Sequence, residues 1–118
     1  MPSPSKVEDS LVQFVPEYLE CWCVGKAEPG AHLPRQVLVA VGRERVHFFQ
    51  GPIAQAEPVI TLDRRNVLVA HSGSRYGRNR LVFIERGAER RRSYTVSVWG
   101  LKGGDLRRME HTVALLRG

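Results

Sequence analysis

Cysteine is scarce in this chain of 118 residues: there are two, Cys21 and Cys23, both within "ECWCVG". At spacing i, i+2 in an extended segment both side chains point to one face, with Trp22 on the other. A disulfide between them would strain regular strand geometry. A zinc site would need two more ligands, and the only nearby candidate, His32, stands at no recognised spacing. The pair therefore reads as buried free thiols. Long apolar runs are missing too. The longest, Val37-Leu38-Val39-Ala40-Val41, is strand-length and far short of the roughly 20 residues that a membrane-spanning helix needs. The N-terminal "MPSPSKVEDS" has no apolar stretch of the signal-peptide kind. It reads as a short flexible tail, and a cytoplasmic location is expected.

Catalytic signatures are also lacking. His32, His47, His71 and His111 fall in a loop, two strands and a helix, with no carboxylate or thiol at recognised spacing. His47 and His71 read as strand residues that satisfy local hydrogen bonds. No serine lies in a nucleophile-elbow context. "GLKGGD" is glycine-rich but lacks the Gly-Lys-Ser/Thr ending of a phosphate-binding loop, and its glycines let the chain turn from strand to helix. The expectation is a protein that is not an enzyme, with no cofactor and no metal.

Basic charge is plentiful. Lys and Arg number 18 against 12 acids, a net charge of +6. Fifteen of the 18 cations are arginine, which grips carboxylate and phosphate bidentately. Residues 1–34 carry two lysines against five acids (2 − 5 = −3), and residues 35–118 carry sixteen cations against seven acids (16 − 7 = +9). A basic body behind an acidic leader suits an anionic partner as well as solubility.

The length fits one domain. "VEDSLVQFVPEYL" puts Leu11, Phe14 and Val15 on one helical face, but Pro16 stops any helix there. Residues 18–24 are extended. "RQVLVAV", the turn "GRER" and "VHFFQ" form a hairpin. "VITL" and "NVLVAHS" are two further strands. "RLVFIER" and "SYTVSVWG" form a second hairpin around "GAERR". In it Tyr94, Val96 and Val98 alternate with Thr95, Ser97 and Trp99, the pattern of a sheet with one buried face. Only the end changes period: Leu106, Met109, Val113 and Leu116 make one apolar helical stripe, with Asp105 as the N-cap. Trp22 and Trp99 read as packed in the core or against this helix, with exposed anchors as the alternative.

Seven antiparallel strands followed by one amphipathic helix must curl into a barrel or stack as a sandwich, with the helix covering what is left open. This order resembles the pleckstrin-homology-like fold, in particular the small bacterial PH-like domains. The resemblance implies a mainly β, seven-stranded antiparallel barrel or sandwich of two near-orthogonal sheets, capped by the C-terminal helix. Residues 1–16 would be an N-terminal tail or leader segment and residues 17–118 the PH-like domain. It also implies that the loops after strands one, three and six gather at one end. The lysine/arginine pattern of phosphoinositide-binding members is not matched, because the loop at 25–35 offers Lys26 and Arg35 but also Glu28 and two prolines.

Two arginine groups are the candidate binding residues. Arg90, Arg91 and Arg92 form the compact group in "GAERRR", flanked by Glu85 and Glu89. They suit an acidic protein surface or acidic lipid head groups, or merely keep a hairpin soluble and discourage edge-to-edge association. Arg75, Tyr76, Arg78 and Arg80 in "SRYGRNR" combine cations with a ring, a pattern that holds phosphate while stacking a base. The expected function is a non-catalytic interaction module that binds a protein partner, itself or an anionic surface through Arg90–Arg92. The alternative is nonspecific nucleic-acid binding through residues 75–80.

Overall fold

The computed structural model describes residues 2–28, 32–73, 77–87, 91–99 and 103–117. All seven expected strands form: β1 (Leu19–Ala27), β2 (Gln36–Gly42), β3 (Arg45–Gln50), β4 (Ile60–Asp63), β5 (Val67–Gly73), β6 (Arg78–Glu85) and β7 (Arg92–Trp99). They are flanked by α1 (Pro4–Val12) and α2 (Gly104–Leu116). Every strand pairing is antiparallel, in one sheet of order β4-β3-β2-β1-β7-β6-β5, with β4 and β5 as its edges. The sheet curls on itself, because Phe48 of β3 meets Phe83 of β6 edge-on at 5.2 Å between ring centroids. No helix among the described residues is long and apolar enough to cross a membrane.

The concave side holds the main core, and its closure depends on α2. Leu106, Met109, Val113 and Leu116 are all buried there, with Met109 only 1% exposed. The expected stripe is therefore the packing face. Thr112 joins it, donating to the Arg108 carbonyl oxygen at 2.9 Å and lying 3.2 Å from Cys21 Sγ. The helix N-cap, however, is Gly103 at φ 59°, and Asp105 sits in the first turn. Two glycines leave the chain free to start the helix earlier than a carboxylate cap would place it.

Residues 2–16 are not the flexible tail that the polar start suggests. Ser3 caps α1 by accepting from the Lys6 amide at 3.4 Å, and Pro4 opens the first turn. Val7, Leu11 and Val15 then bury against Trp22, Leu38, Ala40, Phe49 and Ala54 on the convex side of the sheet. Ser10 Oγ fastens the helix, accepting from the Ala54 amide at 3.0 Å. Strand β2 is therefore buried on both faces: Val37, Val39 and Val41 look to the main core, Leu38 and Ala40 to α1.

The registers decide which loops share an end. Lys26 pairs with Gln36, Val37 with Gln50 and Glu85 with Arg92. The β1–β2, β3–β4 and β6–β7 connections thus emerge on one side. The β5–β6 connection lies at the opposite end of its hairpin, where Gly73 pairs with Asn79. A bulge between Leu19 and Cys21 frees Glu20 to pair with Arg64, which also donates to the Gly42 carbonyl oxygen at 3.0 Å.

Candidate functional site

The β6–β7 hairpin sorts its side chains by strand alternation. Asn79, Leu81, Phe83, Tyr94, Val96 and Val98 are buried, whereas Arg78, Arg80 and Trp99 face solvent. Arg78 pairs in register with Trp99, and Arg80 with Ser97. Antiparallel partners share a face, so these side chains stand together on the convex surface. Lys26, paired with Ser97 across the β1–β7 seam, is on the same face and exposed.

Glu28 lies over this group. Its Oε1 accepts from Arg78 Nη2 at 2.5 Å, from Arg80 Nε at 3.1 Å and from Ser97 Oγ at 3.2 Å. Its Oε2 accepts from Arg80 Nη2 at 3.3 Å. Arg80 thus grips the carboxylate side-on, and Arg78 and the hydroxyl complete the set. Desolvation pushes the Glu28 pKa up. The hydrogen bond and charge of Arg80, the Ser97 hydrogen bond and the Arg78 charge outweigh it and hold the group below the ordinary carboxylate range. The Arg78 guanidinium carbon also lies 5.5 Å from the centroid of the Trp99 ring, and Trp99 is 61% exposed.

Of the candidate residues, the fold thus brings Arg78 and Arg80 together, while Arg75 and Tyr76 lie outside the described residues. Arg91 and Arg92 are exposed at the other end of the same hairpin, and Arg90 lies outside the described residues. Arg92 pairs with Glu85, so seven residues of extended chain, about 24 Å, separate it from the Arg78 end. The exposed Arg86 adds a third cation to the Arg91–Arg92 end, and these three side chains make no ion pair among the described residues. The described members of the two groups, Arg78 and Arg80 on one side and Arg91 and Arg92 on the other, therefore lie toward opposite ends of the hairpin.

Two members of the Arg78 site, Glu28 and Ser97, were not expected in it, and Trp99, read as packed in the core or against the helix, instead takes the alternative of an exposed anchor. Trp99 had a signal, because it continues the polar phase of "SYTVSVW" after Thr95 and Ser97. Glu28 had none, since its partners lie 50 and 52 residues away.

The two strand histidines are each engaged by a neighbouring side chain. His47, 2% exposed, contacts Glu17 Oε2 through Nε2 at 3.2 Å, and His71 Nε2 contacts Asn79 Oδ1 at 2.8 Å. Cys21 and Cys23 are free and buried, and Trp22 packs beneath α1 on the opposite face. Burial pushes the Cys21 thiol up and the Cys23 thiol up to about 12. No group of three metal-ligating side chains occurs among the described residues. A cavity of about 320 Å³ opens between the starts of α1 and α2 over Trp22, Cys23 and Met109. Its two charged residues, Asp105 and Arg108, pair with each other, and Arg108 stacks on Trp22 at 4.2 Å.

No protein-family model, curated protein or solved structure matches the chain.

Proposed function

We propose that this chain is a non-catalytic interaction module of the pleckstrin-homology-like kind, which binds an anionic protein partner through the convex face of its β6–β7 hairpin. The strand order and the C-terminal helix seated in the main core support the fold resemblance. One observation carries the binding reading: the exposed Trp99 lies against Arg78, with Arg80 one step along the same face. A large ring costs little entropy to immobilise, and guanidinium groups take carboxylates bidentately, so the two types dominate protein-binding surfaces. Arg86, Arg91 and Arg92 extend the positive field along the hairpin and steer an acidic surface toward it. Self-association through this face is a variant of the same reading. A cytoplasmic setting fits the two adjacent thiols, which are kept free.

The test uses a fluorescently labelled glutamate-rich peptide, titrated at low salt. Arg78→Glu/Arg80→Glu should abolish binding, and Arg91→Glu/Arg92→Glu should weaken it through the lost field. Unchanged binding in both double variants would remove the reading.

The exposed Trp99 beside Arg78 also favours a second reading, a single-stranded nucleic acid stacked on the ring, because Trp99 supplies the aromatic partner expected of Tyr76. A labelled single-stranded oligonucleotide separates the two. Quenching of Trp99 fluorescence by the oligonucleotide and not by the peptide would favour nucleic acid.

A further inference from the structure

Four donors converge on the Glu28 carboxylate, yet the residue that supplies it is weakly held. Glu28 follows the last residue of β1, and its amide reaches the Thr95 carbonyl oxygen at only 3.4 Å. Its ligands are firmer. Arg78, Arg80 and Ser97 project from the paired strands β6 and β7, each of which has a partner strand on both sides. Both arginine side chains are 50% exposed, so the site is open to solvent while Glu28 occupies it. A preformed constellation on rigid strands and a carboxylate on a loop are the two halves of an exchangeable contact.

We infer that Glu28 is an internal stand-in ligand: the Arg78–Arg80–Ser97 site takes an aspartate or glutamate side chain of an acidic peptide, which displaces Glu28 and packs its backbone against Trp99. The inference rests on the protein-binding reading above and names the chemistry of its partner. The charge balance supports an acidic occupant. Lys26, Arg78 and Arg80 share the face with Glu28, leaving it at +2 with Glu28 in place (3 − 1) and +3 when Glu28 swings away. The bonds already present show what fits. Arg80 meets both oxygens of a planar carboxylate, and the Ser97 hydroxyl donates to the oxygen that Arg78 also holds. Trp99, beside Arg78 and largely exposed, offers the ligand an apolar surface that Glu28 leaves uncovered. As long as Glu28 is bound, it lowers the apparent affinity by the fraction of molecules in which the site is vacant.

The experiment measures binding of a labelled glutamate-rich peptide to the full chain and its Glu28→Gln variant, with circular dichroism as the control for folding. If the site is vacant in one molecule in ten, Glu28→Gln binds about tenfold tighter. Adding Arg80→Gln to Glu28→Gln should abolish that gain. In the wild-type chain, hydrogen exchange gives a second readout that needs no variant: peptide should speed exchange of the Glu28 amide, because the loop is released. Equal affinity of wild type and Glu28→Gln, or an unchanged Glu28 amide at saturating peptide, overturns the exchange and leaves the Arg91–Arg92 end as the contact. Tighter binding of Glu28→Gln to an anionic phospholipid vesicle or to a single-stranded oligonucleotide than to the peptide also overturns it. Failure of every form of the chain to bind peptide sinks the protein-binding reading itself.

Discussion

Glu17 and His47, thirty positions apart in the chain, are joined by a 3.2 Å contact between Oε2 and Nε2 at the point where α1 hands the chain to the sheet. The other carboxylate oxygen accepts from the backbone amides of Glu44 at 2.5 Å and Arg45 at 3.3 Å, in the β2–β3 turn. One side chain therefore ties the exit of α1 both to a turn and to a buried ring. Desolvation raises the Glu17 pKa, but the Glu44 amide, the His47 hydrogen bond, the Arg45 amide and the His47 charge outweigh it, so the net shift is downward. A carboxylate with a depressed folded pKa stabilises fully above its unfolded pKa, and that stabilisation is lost as pH falls through the folded value. Glu17→Ala should cost about 1–3 kcal/mol at neutral pH, because it leaves a buried ring nitrogen without its partner. In urea titrations the gap between wild type and Glu17→Gln should close as pH drops through and below the ordinary carboxylate range. A gap that stays constant into acid would show that the carboxylate charge is not what holds the latch.

Leu11 is fully buried between α1 and the convex side of the sheet. Leu11→Ala should cost about 2–5 kcal/mol, the range for an internal leucine that leaves a cavity. Because Trp99 is exposed and Trp22 is not, a Trp99→Phe background makes Trp22 the sole indole reporter. In that background, deleting residues 1–12 should shift Trp22 emission to the red as its α1 cover is removed. Emission that stays blue would mean that α1 does not shield Trp22.

The strands and α2 were legible because their periods are clean. "SYTVSVW" alternates and Leu106, Met109, Val113, Leu116 step by a helical turn, so each pattern states which side is buried. The helical face around Leu11 was visible, but the start of α1 was missed because "MPSPSK" is polar and proline-rich, yet Ser3 and Pro4 are a cap and a first-turn proline rather than the marks of a loose end. The missing signal lay elsewhere in the chain. "VLVAV" has no polar phase at all, which is how a strand covered on both faces reads. Something had to cover Leu38 and Ala40, and Val7, Leu11 and Val15 supply the apolar face that does so. The candidate site was half legible for a different reason. Arg78 and Arg80 announce themselves as charges, but the carboxylate that engages them comes from the β1–β2 loop, and only the β1–β7 pairing puts it there.

Cys21 and Cys23 should behave as inert apolar side chains. Both sit in the main core, and a thiol whose pKa is raised by burial supplies little of the reactive thiolate. Under mildly alkaline native conditions an aromatic disulfide reagent should label neither residue on the timescale on which it labels both in urea. Prompt labelling of one thiol in the folded chain would show that α2 opens over β1.

At Gly25 the two halves of the sheet pass in close contact. The β1–β7 seam pairs at Lys26↔Ser97 and Ala27↔Val96, just beyond it. A Cβ on Gly25 would lie 2.5 Å from Val96 Cγ1 and 2.8 Å from both the Ser97 carbonyl oxygen and Val98 Cγ1. Since one of these atoms is backbone, the clash cannot be relieved by a rotamer change alone, and β7 has to move away from β1. Gly25→Ala should therefore destabilise by about 1–3 kcal/mol, the usual cost of overpacking. It should also loosen Glu28, whose amide bond to Thr95 lies on the same seam. Gly104→Ala is the control. Its Cβ would meet only the far end of the Arg108 side chain, 3.1 Å away, which can swing aside, and alanine favours a helix. Gly104→Ala should be neutral or slightly stabilising in the same urea titration. If Gly25→Ala matched it, the close passage of β7 over β1, and the route by which Glu28 reaches Arg78 and Arg80, would be wrong.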